Sequence, residues 1–199
     1  MEADWGAEIG SDLPRMVVPW EGFVDLTLHP EAVTTLEEAA AQPALARALR
    51  QFNASDSRLL TSKCDVWELT AEEIDPYEFG CSGDDALTGI ASYIDVIARD
   101  PSLFCSFARH EAWATTLVQR LHESPVRDGR VDITIRSAEV STAPQQGFGI
   151  TLYCAGCGAD SGSAAAAWEK VLEAAIAATI ISGASLANPV CGSTQTRGE

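Results

Sequence analysis

The sequence is poor in basic residues. It has 13 Lys and Arg against 29 Asp and Glu, which gives a formal net charge of −16 at pH 7. Nucleic-acid binding and attachment to anionic membranes both depend on clustered basic side chains, so this shortage argues against both kinds of partner. A strongly acidic balance is typical of a soluble protein and is compatible with a basic protein partner.

The sequence also lacks an apolar run long enough to span a bilayer. The longest weakly polar run, VLEAAIAATIISGASLA, is interrupted by Glu173 and two serines and is shorter than the roughly 20 residues that a membrane helix needs. The acidic N-terminus, MEADWGAEIG, has neither the basic nor the apolar region of a secretory signal. We therefore expect a cytoplasmic protein whose six cysteines are thiols.

Complete catalytic and cofactor motifs are missing as well. The chain contains no G-x-S-x-G, no G-x-G-x-x-G and no P-loop. The three histidines, His29, His110 and His122, show no metal-ligand spacing, and Ala114 stands where a metalloprotease helix carries its second histidine. These absences predict no cofactor and favour a domain without its own catalytic centre.

What the sequence does contain is a clear pattern of strands and helices. Alternating apolar and polar residues predict strands at 59–69, 130–140 and 148–154. Residues 89–100 fit either a helix or a strand, and their β-branched and aromatic content favours a strand. Helical spacing of apolar residues predicts helices at 101–123 and at 163–181.

The N-terminal part of the chain lacks this regular alternation. Prolines and glycine predict an irregular arm over residues 1–28 with a short strand at 22–28, and helices follow between 30 and 53 with a break at Pro43. We therefore divide the chain into an N-terminal arm and helical annex (1–55), an α+β core (56–185) and a flexible tail (186–199), which together form one compact domain.

The predicted fold class is α+β, with a four-stranded, mostly antiparallel sheet, helices on one face and the helical annex at the N-terminus. The order strand, strand, helix occurs twice. AWATTLVQRL and AWEKVLEAAI superpose so that Trp113 aligns with Trp168 and Leu117 with Leu172. An internal ββα duplication is therefore one hypothesis, and convergence of two amphipathic helices is the alternative.

Period-two alternation separates the side chains of the predicted strands into two faces. The set expected beneath the helices comprises Cys64, Val66, Ile94, Val96, Ile133, Ile135, Ile150 and Leu152. The opposite set, which we call the outer face, comprises Lys63, Asp65, Trp67, Tyr93, Asp95, Asp132, Arg136 and Tyr153, together with Thr134 and Thr151.

The outer face is the main candidate site, because aromatic side chains with arginine are typical of interface centres. We expect a soluble, acidic, intracellular binding domain that uses this face with a basic protein partner or as a homodimer. One alternative is an enzyme or ligand-binding protein with a pocket between the sheet and the N-terminal helices, where the carboxylates could support acid–base chemistry. Another is that helices 30–53 cover this face, which would make Trp67 and Tyr153 core residues.

The stretch GITLYCAGCGADSGSA (149–164) holds a C-x-x-C pair, Cys154 and Cys157, between a predicted strand and a predicted helix. This local order resembles the thioredoxin motif, which implies thiol redox chemistry, although only a helix and a tail follow it here. The pair could also supply two zinc ligands. The third interpretation is a tight turn with buried cysteines, in which Asp160 or Ser161 caps the helix.

Overall fold

The computed structural model describes residues 1–82, 86–141 and 145–186. The strands are β1 (Glu2–Glu8), β2 (Met16–Val18), β3 (Leu59–Thr70), β4 (Thr88–Ala98), β5 (Gly129–Val140) and β6 (Gln145–Gly158). The helices are α1 (Glu37–Ala41), α2 (Pro43–Phe52), α3 (Pro76–Phe79), α4 (Pro101–Phe104), α5 (Phe107–Glu123) and α6 (Ser161–Leu186), with short 3-10 helices at Pro30–Thr35 and Ala71–Glu73. The predicted flexible tail lies outside the described residues beyond Leu186.

The fold is α+β, as predicted, but its sheet is larger than expected. Six strands form one mixed sheet in the order β1-β5-β6-β4-β3, and β2 pairs with the second half of β5. The four predicted strands form the antiparallel part, whereas β1 and β2 run parallel to β5. The prediction of a four-stranded sheet is therefore wrong in strand number, because the N-terminal arm supplies two edge strands.

The arm itself also differs from its prediction. Residues 22–28 form turns and irregular backbone instead of a strand, and the strands lie earlier, in β1 and β2. The β1 segment EADWGAE contains no β-branched residue, so its local preference for a strand is weak. Its strand conformation is stabilised by pairing with β5, more than a hundred residues later in the chain.

The ambiguous segment 89–100 is a strand as far as Ala98, as we predicted, and β4 lies inside the sheet between β6 and β3. The second half of β4 is covered on both faces, by the main core around Ile94 and Val96 and by a smaller cluster that contains Ile97, which explains its mostly apolar sequence. The last five residues of β4 are all buried. The helix-like spacing of its isoleucines therefore reflects two-sided burial.

One main core lies between the sheet and the helices. The inner side chains of β3 to β6 pack there with Trp113 and Leu117 of α5 and with Trp168 of α6. Helix α2 adds Leu49 and Phe52 to the same core. The N-terminal helices thus extend the helical layer and do not cover the outer face, which rules out the alternative in which they bury it.

The order β3, β4, α5 followed by β5, β6, α6 places the second strand of each unit side by side at the centre of the sheet. Trp113 and Trp168, which align in the proposed duplication, are both fully buried. The duplication nevertheless stays a hypothesis, because amphipathic helices on the same sheet converge on such positions.

Two smaller apolar clusters lie at opposite ends of the outer face. One contains Met16, Val18, Ile97, Phe104 and Ala138, and the other contains Ile74, Phe79, Ala86 and Cys157. The outer-face residues occupy the strip between these clusters. In the described part of the chain, no helix combines the length and the apolar character that crossing a membrane requires.

Candidate functional site

Three aromatic side chains form a row across the outer face. Tyr93 on β4 pairs directly with Tyr153 on β6, and their ring centroids are 6.0 Å apart. Trp67 on β3 continues the row, with its ring centroid 6.4 Å from that of Tyr93. These separations are typical of interacting aromatic pairs. Three strands that are neighbours in the sheet, β3, β4 and β6, thus present one continuous aromatic surface.

Arg136 on β5 lies at one end of this row. One guanidinium nitrogen, Nη2, donates hydrogen bonds to Tyr153 Oη at 3.0 Å and to Glu8 on β1 at 2.9 Å. The guanidinium carbon lies 5.8 Å from the centre of the Tyr153 ring. These contacts fix the orientation of the tyrosine. Sequence reasoning missed the role of Glu8, because it predicted no strand at β1.

Asp132 lies on the outer face, but its carboxylate is already paired with Arg130, which was not among the predicted site residues. Arg130 Nε donates to Asp132 Oδ2 at 2.6 Å, and Arg130 Nη2 donates to Oδ1 at 2.9 Å. Arg130 also pairs with Glu78 of α3. The hydrogen bond to Asp132 is the main cause of a raised Arg130 pKa. Asp132 therefore acts as an ion-pair partner and is poorly placed to serve as a general base.

Asp95 is the most buried charged residue of the outer face, with 7% of its surface exposed. Its Oδ1 accepts a hydrogen bond of 2.6 Å from Thr151 Oγ1 on the neighbouring strand. Burial raises the pKa of Asp95, while this hydrogen bond and the charges of Arg136 and Lys63 act in the opposite direction. The net effect favours the protonated form more than in water.

We expect Asp95→Asn to make the protein more stable at neutral pH, by about 1 kcal/mol. Because the pKa of Asp95 is raised in the folded state, the free energy of unfolding falls as pH rises from the unfolded value of about 4 through the folded pKa. The variant should lack this decline. Urea denaturation at a series of pH values measures both effects.

Asp65→Asn is the control for this experiment, because Asp65 is an exposed carboxylate on the same face. It removes the same charge without relieving burial, so it should change stability much less. Equal gains for both variants would mean that the overall negative charge, and not the burial of Asp95, sets the pH dependence.

Lys63 lies beside an irregularity in β3, where the register with β4 shifts between Thr61 and Cys64. Its ammonium group is 5.1 Å from the centre of the Trp20 ring, and Trp20 Nε1 donates a 3.3 Å hydrogen bond to the carbonyl of Ser62. This contact attaches the N-terminal arm to β3. The role of Trp20 could not be predicted from the sequence, because it lies in an irregular segment without periodic alternation.

A cavity of about 320 Å³ opens at this point, between β3, the arm and the helices α1 and α2. Of the outer-face residues, Lys63, Asp65 and Tyr93 line it. Cys64 also lines it, and burial raises the pKa of this thiol to about 12. The thiol therefore stays protonated at neutral pH and is a weak nucleophile.

The C-x-x-C cysteines do not come together. Strand β6 continues through both of them to Gly158, and α6 begins only at Ser161. Residues three apart on a strand point to opposite faces, and accordingly Cys154 lies in the main core while Cys157 lies in an outer cluster. This geometry excludes the two residues as a joint redox pair or as two ligands of one zinc ion.

The turn after β6 is short, as predicted. Asp160 Oδ1 accepts a 2.8 Å hydrogen bond from the Ser163 amide in the first turn of α6, so Asp160 caps the helix. Burial raises the pKa of Cys154 to about 12, which makes this thiol unreactive. Among residues 1–82, 86–141 and 145–186, no three His, Cys, Asp or Glu side chains are grouped as metal ligands.

Comparison of the chain with protein-family models, curated proteins and solved structures finds no match. The function therefore has to be inferred from the geometry of the chain itself.

Proposed function

We propose that the protein is a non-catalytic binding domain whose outer face binds a basic segment of a protein partner. The observation that carries this proposal is the aromatic row of Trp67, Tyr93 and Tyr153. Trp67 is 39% exposed, although the opposite face of the sheet already has a complete core. A contiguous aromatic surface of this kind is a liability for a protein that functions alone, and it favours a partner.

The charge distribution supports a basic partner. Exposed carboxylates lie near both ends of the row, Asp65 on β3 and Asp4 on β1. The arginines of this face, Arg130 and Arg136, are already paired with carboxylates of the chain. An incoming lysine or arginine would therefore meet exposed carboxylates and aromatic faces, and cations bind well to both.

A second candidate function is binding of a small polar molecule in the cavity beside β3. Its volume of about 320 Å³ is near the lower end of ligand pockets. The lining combines the cation of Lys63, the carboxylate of Asp65 and the aromatic rings of Trp20 and Tyr93. The basic-partner proposal predicts that replacement of Trp67 weakens binding, whereas this candidate predicts that replacement of Trp20 does. The two variants therefore separate the candidates.

We expect Trp67→Ala to weaken binding of a basic peptide about tenfold or more. The indole would provide apolar contact and a cation-binding face at one end of the row. Fluorescence anisotropy of a labelled peptide rich in Lys and Arg measures the affinity, with a peptide rich in Glu as the negative probe. Binding should also weaken as salt concentration rises, since charges contribute to it.

Trp20→Ala is the matched control, because Trp20 has nearly the same exposure, 38%, but lies on the arm and lines the cavity. It should leave peptide affinity within about twofold. A wild-type protein that binds no basic peptide would contradict the proposal, and so would equal losses in the two variants. A dimer in sedimentation that Trp67→Ala dissociates would instead assign this face to self-association.

A further inference from the structure

A pair of thiols lies at the end of the outer face where α3 packs. Cys81 follows Gly80, which ends α3 in a left-handed conformation with φ of 65°. The Cys81 Sγ is 3.2 Å from the Sγ of Cys157 on β6. Both residues are thiols in this structure. The two sulfurs are therefore in contact although they are 76 positions apart in sequence.

We propose that Cys81 and Cys157 form a reversible disulfide that fastens the α3 segment to the sheet. A disulfide needs a sulfur–sulfur distance of about 2 Å, so the thiols must approach each other by little more than 1 Å. Cys81 lies in the connection between β3 and β4, where a small backbone adjustment is less costly than in a sheet. This inference does not depend on the binding function proposed above.

The two thiols differ in their access to solvent, so they would react in different steps. Cys157 is 2% exposed, while Cys81 is half-buried and remains accessible. An oxidant of the low-molecular-weight disulfide class would therefore react first at Cys81. The Cys81 thiolate attacks one sulfur of the reagent and forms a mixed disulfide, and one reagent thiol leaves.

The second step closes the crosslink. The Cys157 sulfur attacks the Cys81 sulfur of the mixed disulfide, and the second reagent thiol leaves. Overall, two protein thiols and one reagent disulfide become one protein disulfide and two reagent thiols, so electrons and protons balance. A dithiol reductant reverses the reaction by the same exchange.

The crosslink would act on the end of the outer face. Helix α3 carries Glu78, which pairs with Arg130, and Arg130 in turn pairs with Asp132 on that face. A covalent bond from Cys81 to β6 would hold this ion-pair network in place. Oxidation would thus make the α3 segment less mobile without any change in the aromatic row.

We expect treatment of the full chain with oxidised glutathione to link Cys81 and Cys157, as shown by peptide mapping under non-reducing conditions. The linked protein should unfold at a temperature higher by about 5 to 15 °C, because the bond closes a long loop of the unfolded chain. Dithiothreitol should abolish the shift. Cys81→Ser should not show it, whereas Cys105→Ser, which changes an exposed thiol outside the pair, should behave as the wild type.

Replacement of the half-buried Cys81 tests the proposal even if variants of the buried Cys157 fail to fold. A mixed disulfide that persists at Cys81 without closing would overturn the proposal, and so would a crosslink between Cys81 and another cysteine. The assay uses no binding partner, so its failure would be distinct from a failure of the proposed binding function.

Discussion

Gly156→Ala is expected to lower the free energy of unfolding by about 3 kcal/mol or more. A Cβ atom at position 156 would lie 2.2 Å from the amide nitrogen of Trp168 and 2.6 Å from its Cα. Both are backbone atoms of α6, so no side-chain rotation relieves the overlap. The whole helix would have to move away from β6 and lose packing along the main core.

Gly6→Ala is the matched control, because Gly6 is also a strand glycine and a Cβ there meets no atom within 4 Å. It should change stability by less than about 0.5 kcal/mol. Denaturant titration of both variants, read by far-UV circular dichroism, gives the comparison. Similar small effects at both positions would show that α6 does not contact β6 as closely as the structure places it.

The close approach of α6 to β6 explains the glycines of the stretch 149–164, for which the sequence allowed several interpretations. The glycines of GITLYCAGCG suggested a turn, whereas Gly156 lies inside a strand and allows a helix to pass directly over it. Local rules cannot predict this, because the distance between a helix and a strand is set by tertiary packing. The short turn and its Asp160 cap were predictable, since they depend only on neighbours in sequence.

The two faces of the sheet were predictable for a similar reason. Alternation along a strand is a local property, and it correctly separated Cys64 and Ile94 from Trp67 and Tyr93. The direct pairing of Tyr93 with Tyr153 was not predictable, because it depends on the register between two strands that are distant in sequence. The aromatic row could be suspected from the sequence, but its continuity could not.

Contacts made by the N-terminal arm were also not predictable, because they join residues that are distant in sequence. Glu8 reaches Arg136, and Trp20 reaches Lys63, only because the arm pairs with β5 and crosses to β3. β1 has little local strand preference, so its position depends on pairing with β5, more than a hundred residues later in the chain. The contact between Cys81 and Cys157 is equally non-local. The C-x-x-C spacing instead suggested Cys154 as the partner of Cys157.

Trp168→Ala is expected to lower the free energy of unfolding by about 3 to 5 kcal/mol. The indole is fully buried in the main core, and its Nε1 donates a 2.9 Å hydrogen bond to Ser92 Oγ, itself buried on β4. The substitution therefore removes a large apolar volume and also the donor that faces a buried hydroxyl. Trp168→Phe keeps most of the volume, so the difference between the two variants measures packing separately from the hydrogen bond.

Trp113 provides a parallel test on α5, because it is also fully buried and its Nε1 donates to the carbonyl of Thr179 at 3.3 Å. Trp113→Ala should cost a similar amount, about 3 to 5 kcal/mol, whereas Trp67→Ala should cost less than about 1 kcal/mol. Urea titration compares the three alanine variants directly.

A large loss of stability in Trp67→Ala would mean that the Trp67 ring stabilises the fold, and the aromatic row would then lose its main support as a binding surface. A small loss combined with weaker peptide binding is expected only if Trp67 is kept on the outer face for a partner.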